Sequence, residues 1–283
     1  MSDNSMRPEP GLYVTATPIG NLADMTFRAV EVMRGADLIL CEDTRQTAKL
    51  CAAYGIETPR APYHEHNAAE VRPGILRRLG EGAVICLVSD AGTPLISDPG
   101  YKLVREARDL GLKVFPVPGA CAAIAALSAA GAPSDRFIFA GFPPTKTGAR
   151  ATMFSGLAHA EGTLVFYEAA SRLAESLAAM AEAFGDRPAA VARELTKLHE
   201  TIREGSLSEL ASYYGEHQPK GEIVVIVHPR VEVKAEAADI DAFLVEALSV
   251  MSVKEAASAA ADALGVPRKE AYARALALKA ATR

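Results

Sequence analysis

Five times before residue 120, a short run that reads as a strand passes straight into a polar loop: Leu12–Ala16 into Thr17–Asp24, Leu38–Cys41 into Glu42–Arg45, Arg60–Tyr63 into His64–Asn67, Ala83–Val88 into Ser89–Gly100, and Lys113–Val117 into Pro118–Gly119. Segments of helical spacing separate these runs. They are Phe27–Met33, a stretch through Leu50 and Tyr54 that stops at Gly55, another through Ile75 and Leu79, Tyr101–Leu110, and the small-residue segment Ala120–Ala130. Strict strand–helix alternation restricts the chain to an α/β architecture, with about five strands doubly wound. In such a sheet the loops after the strands gather at one edge, where α/β proteins bind ligands.

The longest of these loops, Val88–Gly100, is rich in Ser, Asp, Gly and Pro. Gly92 allows close approach of backbone to a ligand, and Ser89, Asp90 and Thr93 offer hydrogen bonds. Asp98 followed by Pro99 predicts the start of the next helix, because a carboxylate caps free N–H groups and proline needs none there. Spacing alone leaves two readings open, a binding loop or a structural turn with capped ends.

The 283 residues suffice for two domains and a small appendage. With 49% hydrophobic and 23% charged residues the chain reads as a globular protein, and no apolar run approaches the roughly 20 residues that span a bilayer. Residues 1–10 are polar and read as a disordered tail without an export signal, so a cytoplasmic protein without membrane contact is expected. The net charge of −5 argues against bulk electrostatic coating of nucleic acid, although it permits a local basic patch. Cys41, Cys51, Cys86 and Cys121 are widely spaced in apolar segments and read as reduced core thiols.

The alternation breaks after residue 130. Phe137–Ala140, Thr163–Tyr167, Ala189–Glu194, His199–Glu204 and Glu222–Val227 read as strands, several of them consecutive, with helices over Ser171–Phe184 and from a capping box at Ser206–Glu209. This predicts an N-terminal α/β domain over 11–118 and a mixed α+β domain over 119–230. Beyond Pro229 the chain is charged and alanine-rich. Ile240–Leu248, Val253–Leu264 and Lys269–Leu278 read as three helices of an appendage over 238–283, with a capping box at Ser252 and Glu255. That arrangement resembles a helix-turn-helix, although helical hairpins are more often purely structural.

No GxGxxG follows the first strand and no GxxxxGK[ST] occurs, which removes the main support for ordinary dinucleotide and P-loop readings. His64 and His66 lack an evident third ligand, so polar loop histidines are expected and no metal site. Arg193, Glu194, Lys197 and Glu200 read, on their own, as a solvated turn with weak ion pairs. Spacing therefore reaches a ligand-binding α/β enzyme of unstated chemistry.

The loops as a set go further. Thr17-Pro-Ile-Gly-Asn-Leu-Ala-Asp24, Cys41-Glu-Asp-Thr-Arg45, Tyr63-His-Glu-His-Asn67, Ser89-Asp-Ala-Gly-Thr-Pro-Leu-Ile-Ser-Asp-Pro-Gly100 and Pro116-Val-Pro-Gly119 resemble the tetrapyrrole methylase superfamily, and within it the ribosomal RNA small subunit methyltransferase I branch. The likeness continues through Arg136–Pro144, Phe166-Tyr-Glu168, Arg193-Glu-Leu-Thr-Lys197 and Gly221–Pro229, and the C-terminal helices resemble that branch's appendage.

The resemblance implies a two-domain, class III, S-adenosylmethionine-dependent methyltransferase, usually a homodimer, with the cofactor in a trough between domains. The implied reaction is 2′-O-methylation of a cytidine ribose in 16S rRNA at the decoding centre of the small ribosomal subunit. Gly92, Thr93 and Pro94 match the superfamily's Gly-Asp-Pro cofactor loop, with Thr93 where the wider superfamily has Asp. Pro18, Ser89, Asp90, Ile96, Pro118, Gly119, Tyr167 and Leu195 would complete the cofactor site. A ribose hydroxyl is a weak acid and needs a base. Loop position offers Glu42, Asp43, His66 and Lys197, with Glu42 and Lys197 first to be mutated. Arg45, Lys146 and Arg150 are expected to hold RNA phosphates. The competing expectations are a methylase of a corrin or porphyrin precursor and a non-catalytic ribosome-assembly factor.

Overall fold

The computed structural model describes residues 7–230, 237–264 and 266–281. Contacts group the chain into two compact units, Met1–Pro229 and Arg230–Arg283.

The first unit begins with the alternation β1 (Gly11–Thr15), α1 (Phe27–Gly35), β2 (Leu38–Cys41), α2 (Thr44–Ala53), β3 (Arg60–Pro62), α3 (Ala68–Gly80), β4 (Val84–Leu87), α4 (Tyr101–Asp109), β5 (Val114–Val117) and α5 (Ala122–Ala129). The five strands form one sheet in the order β3-β2-β4-β1-β5, and every neighbouring pair is parallel. A parallel sheet must be covered on both faces. Tyr13, Ile39 and Cys86 pack on one side against Ala29, Val32 and Met33 of α1. Leu12, Leu40, Ile85 and Leu87 pack on the other against Ile75 and Leu79 of α3 and Leu103 of α4. β4 lies between two strands and two helical layers, so all four of its residues are buried and its sequence is continuously apolar instead of alternating.

The unit continues with β6 (Phe137–Gly141), α6 (Thr147–Leu157), β7 (Thr163–Ala169), α7 (Leu173–Phe184), β8 (Pro188–Arg193), β9 (Thr201–Ser206), α8 (Leu207–Glu216) and β10 (Glu222–Val227). These strands form a second sheet, β6-β7-β10-β8-β9, parallel only between β6 and β7. Phe154, Phe166, Leu177 and Phe184 fill the core on one face. The other face receives α5, with Ala123, Ala126 and Leu127 packed against Val165, Ala190 and Val224. Ile19, from the loop after β1, joins this same cluster. The crossover helix and that loop thus fasten the carboxyl edge of the first sheet to the second.

Two local expectations need correction. The second half contains α6, which the sequence did not announce: Gly148, Gly156, Thr147 and Thr152 depress helix propensity and blur any apolar stripe. Asp98 does not cap α4. That helix starts at Tyr101 with Gly100 as its N-cap, at φ +135°, a conformation suited to glycine. The capping box of Ser206 and Glu209 at α8 forms as expected.

The second unit contains α9 (Ala237–Leu248), α10 (Val253–Leu264) and α11 (Arg268–Ala281). They share a small-residue core around Leu244, Ala256, Ala260, Ala271 and Ala275. Ser252 and Glu255 cap α10 reciprocally, and Arg274 forks onto Asp241 at 2.9 and 3.2 Å. No helix among the described residues is long and apolar enough to cross a membrane.

Phe166 is fully buried and meets Phe154 edge-on, with ring centroids 5.6 Å apart. Phe166→Ala is expected to cost about 3–5 kcal/mol of stability, read as a lowered urea midpoint by circular dichroism.

Candidate active site

β1 and β4 are neighbours, and their following loops are joined by backbone: the Thr17 N–H donates to the Gly92 carbonyl (2.9 Å) and the Gly92 N–H to the Thr17 carbonyl (3.1 Å). Thr17 Oγ1 also donates to the Ser89 carbonyl (3.2 Å), and Ser89 Oγ to the Gly92 carbonyl (3.0 Å). Gly92 sits at φ +82°, and a side chain there would press on Ile19 Cγ2 at 3.2 Å, so this closure requires glycine.

A cavity of about 370 Å³ opens between this loop and the ends of β7, β8 and β10. One wall is Gly92, Thr93 and Ile96, with Ile19 beneath; the opposite wall is Ala192, Leu195, Ile223 and Val224. Phe142 and Tyr167 supply the aromatic surface, set edge-to-face with centroids 5.4 Å apart. Burial pushes the Tyr167 hydroxyl up to about 12. It remains protonated and accepts the Ala123 N–H (3.2 Å).

The polar lining is dominated by carboxylates, namely Asp90, Asp98, Glu168 and Glu222, and no lysine or arginine is among the described lining residues. Glu168 is only 2% exposed, but its charge is matched by Arg172 at 2.7 Å and by a hydrogen bond from Ser176. Asp98 has no such cation. Burial first, then the neighbouring Glu42 and Asp90, push its carboxyl up to about 6 against a hydrogen bond from Ser89.

Among the described residues, every non-glycine residue with positive φ lies in the two loops bordering this cavity: Leu95 (+73°) and Ser97 (+66°) after β4, Glu194 (+51°) and Thr196 (+66°) after β8. Left-handed backbone of this kind costs about 1–3 kcal/mol per residue and persists where the surroundings overdetermine it, commonly at functional sites.

Of the residues implied by the sequence motifs, Asp90, Gly92, Thr93, Ile96, Tyr167 and Leu195 line the cavity. Ser89 lies behind the loop as a buried support. Pro18 and Pro94 are buried and outside the lining, and Pro118 and Gly119 are exposed and outside it as well. Glu42 is exposed next to Asp98. Asp43 caps α2 and is gripped by Arg45, whose guanidinium holds the carboxyl down at about 2; a carboxylate so stabilised is a poor base. Lys197 is clamped between Glu194 (2.9 Å) and Glu222 (3.0 Å). Burial opposes its charge, but these hydrogen bonds prevail and raise its pKa, so it stays an ammonium. His66 is exposed, edge-on to His64. Arg45 and Lys146 are exposed, Arg45 with its guanidinium on Asp43. Arg150 is not: it is 1% exposed and paired with Glu175, so it faces the interior of the fold.

Asp98, Glu168, Glu222 and Phe142 were not singled out from the motifs. Asp98 was absorbed by its helix-cap reading. Glu168 and Glu222 carried a usable signal, since each is a lone carboxylate at the end of an apolar strand run.

The Asp98 carboxyl titrates near 6 in the fold and near 3.9 in the unfolded chain. The folded state therefore holds this proton more tightly, and its contribution to stability is lost as pH rises through 6. Asp98→Asn should gain about 2 kcal/mol over wild type at pH 7.5 relative to the difference at pH 4, measured by urea denaturation at both values.

The family described as Tetrapyrrole (Corrin/Porphyrin) Methylases matches residues 11–211, and the RsmI C-terminal HTH domain matches residues 234–279. The Ribosomal RNA small subunit methyltransferase I of Mesorhizobium japonicum is 50% identical over 96% of this chain and 93% of its own length. That of Erythrobacter litoralis is 51% identical over 98% of this chain and 99% of its own. Among solved structures, the uroporphyrin-III C-methyltransferase of Thermus thermophilus complexed with S-adenyl homocysteine shares the fold, with a TM-score of 0.54 at 18% identity over 77% of this chain and 97% of that one. The strand–loop frame, the cavity at its carboxyl edge and these likenesses agree: the chain belongs to the tetrapyrrole methylase family, in its ribosomal RNA small subunit methyltransferase I branch.

Proposed function

We propose that this protein is an S-adenosylmethionine-dependent methyltransferase that modifies the 2′-hydroxyl of a cytidine in 16S rRNA, at the decoding centre of the small ribosomal subunit, and that it works as a homodimer. The observation that carries the reading is the character of the cavity: apolar and aromatic walls, a backbone cradle at Gly92 that a Cβ would crowd, and two lining carboxylates, Asp90 and Asp98, that no lysine or arginine pairs with among the described residues. Such a lining suits a nucleoside-bearing cation and disfavours a phosphorylated cofactor. The identity to ribosomal RNA methyltransferases along nearly the whole chain supports the substrate class.

S-adenosylmethionine, when bound, supplies a methyl group on a sulfonium that is already activated toward a nucleophile. The work of the chain is then alignment, exclusion of water and removal of one proton. Gly92, Thr93 and Ile96 on one side and Leu195 and Val224 on the other would hold the nucleoside part by shape and apolar contact. Thr93 Oγ1, which donates to the Ala120 carbonyl (3.0 Å), fixes the cradle. Asp98, with Glu42 beside it, is the base for the ribose hydroxyl. Its raised pKa brings it nearer the operating pH, where a general base works best. Lys197 acts as an electrostatic brace for Glu222 and Glu194, not as a base.

The deciding experiment is transfer from radiolabelled S-adenosylmethionine to small ribosomal subunits from cells lacking this activity, followed by digestion to nucleosides. Label in 2′-O-methylcytidine is expected. Cofactor binding with no label in RNA would instead favour a small-molecule methylase, and absence of cofactor binding an assembly factor. Asp98→Asn should lower the transfer rate at saturating cofactor by about 10²–10⁴-fold. In wild type, kcat/KM should fall about tenfold per pH unit below pH 6 as Asp98 protonates, and Glu42→Gln should shift that limb to lower pH.

A further inference from the structure

A second groove, of about 720 Å³, lies beside the edge strand β9. Its charged lining is Arg193, Arg203, Lys220 and the single carboxylate Glu204, and its rings are Tyr213, Tyr214 and His217. The Arg203 guanidinium stands 3.7 Å from the centre of the Tyr213 ring. Tyr213 in turn stacks on His217, with centroids 4.4 Å apart at 13°. Arg193 donates only to neutral oxygens: Thr201 Oγ1 (3.2 Å), the Lys220 carbonyl (3.3 Å) and the His199 carbonyl (3.1 Å). Its guanidinium is therefore fixed in place without an ion pair among the described residues. Among the described residues neither Arg203 nor Lys220 makes an ion pair.

This groove adjoins the cavity along the chain itself. Ala192 lines the cavity and Arg193 the groove, while Lys220 lines the groove and Gly221 the cavity. Asp90 and Asp98, the cavity's carboxylates without an ion pair among the described residues, repel phosphates, so a polyanion delivering one nucleotide to it needs a separate cationic path at its rim. In this groove Tyr214 is buried and Tyr213 half-buried, which leaves the exposed ring of His217, backed by Tyr213, as the stacking surface. Arginines beside such a ring are the pattern by which proteins hold single-stranded RNA, with phosphates on the cations and bases on the rings.

Resting on the function proposed above, we infer that the β9 groove is the track for the single-stranded RNA flanking the methylated nucleotide. Arg193, Arg203 and Lys220 meet its phosphates, and a base stacks on the exposed face of His217, whose other face rests on Tyr213. The track positions the strand and carries no sequence readout.

The test is fluorescence anisotropy of a fluorescein-labelled, single-stranded oligoribonucleotide of about 12 residues, with salt titrations, for wild type, the double variant Arg203→Ala with Lys220→Ala, and Tyr213→Ala. The double variant should bind RNA at least tenfold more weakly. Its log Kd against log salt slope should drop by about 1.4, the contribution of two released phosphate contacts to a single strand. Tyr213→Ala should weaken binding without changing the slope. Calorimetry with S-adenosylmethionine should give wild-type affinity for all variants, which also reports a folded first unit. Unchanged RNA affinity and slope in the double variant would overturn the track while leaving the methyltransferase reading intact. A change of oligomeric state by light scattering, with RNA affinity retained, would overturn it in favour of a subunit interface. Wild-type protein that binds neither the oligonucleotide nor small subunits would sink both readings.

Discussion

The two backbone hydrogen bonds between Thr17 and Gly92 are the constraint on which the rest of the site depends. They close the loops of two adjacent parallel strands onto each other at the point where the sheet's connections diverge, with β1 leading outward past β4 and β5 on the other side. Because peptide groups make the bond, side chains on both loops remain available: Ile19 reaches into the second sheet's core and Thr93 ties to Ala120. The closure also demands a left-handed residue at 92, which explains why glycine stands in the middle of the longest loop.

Charge is distributed with a consistent logic. At the cavity, Arg172 and Lys197 pair with the lining carboxylates Glu168 and Glu222, which leaves Asp90 and Asp98 as the lining carboxylates without an ion pair among the described residues. Outside, beside β9, arginines are held by carbonyls and rings instead. A protein with a net charge of −5 can therefore engage a polyanion locally without attracting nucleic acid over its whole surface.

Much of this fold was legible in the chain. The central strands β2 and β4 followed from apolar runs ending in polar loops, because a doubly covered strand leaves no polar face to obscure the pattern, whereas the edge strands β3 and β5 were legible mainly from the alternation around them. The capping boxes at Ser206 and Ser252 were readable because the spacing of hydroxyl and carboxylate is itself the mechanism. Helix α6 was hidden by its glycines and threonines, stabilised as it is by burial of Phe154 and not by propensity. Arg150 reads as a surface cation in sequence, yet it is tucked inside by a pairing with Glu175, twenty-five residues away, that no local pattern encodes. Asp98 shows the same limit: an Asp-Pro pair fits a helix cap, and only the tertiary placement of Glu42 and Asp90 makes it the perturbed carboxyl of the cavity.

The left-handed residues Leu95, Ser97, Glu194 and Thr196 have a consequence for how such a protein can be improved. Glycine or asparagine at any of them would relieve backbone strain, so a search for heat-resistant variants will find these positions readily. Each relaxed loop would also sample more conformations and hold the cavity wall less firmly. Thermal tolerance and turnover should therefore trade against each other at these four sites, and gains in robustness without loss of activity must come from elsewhere in the fold.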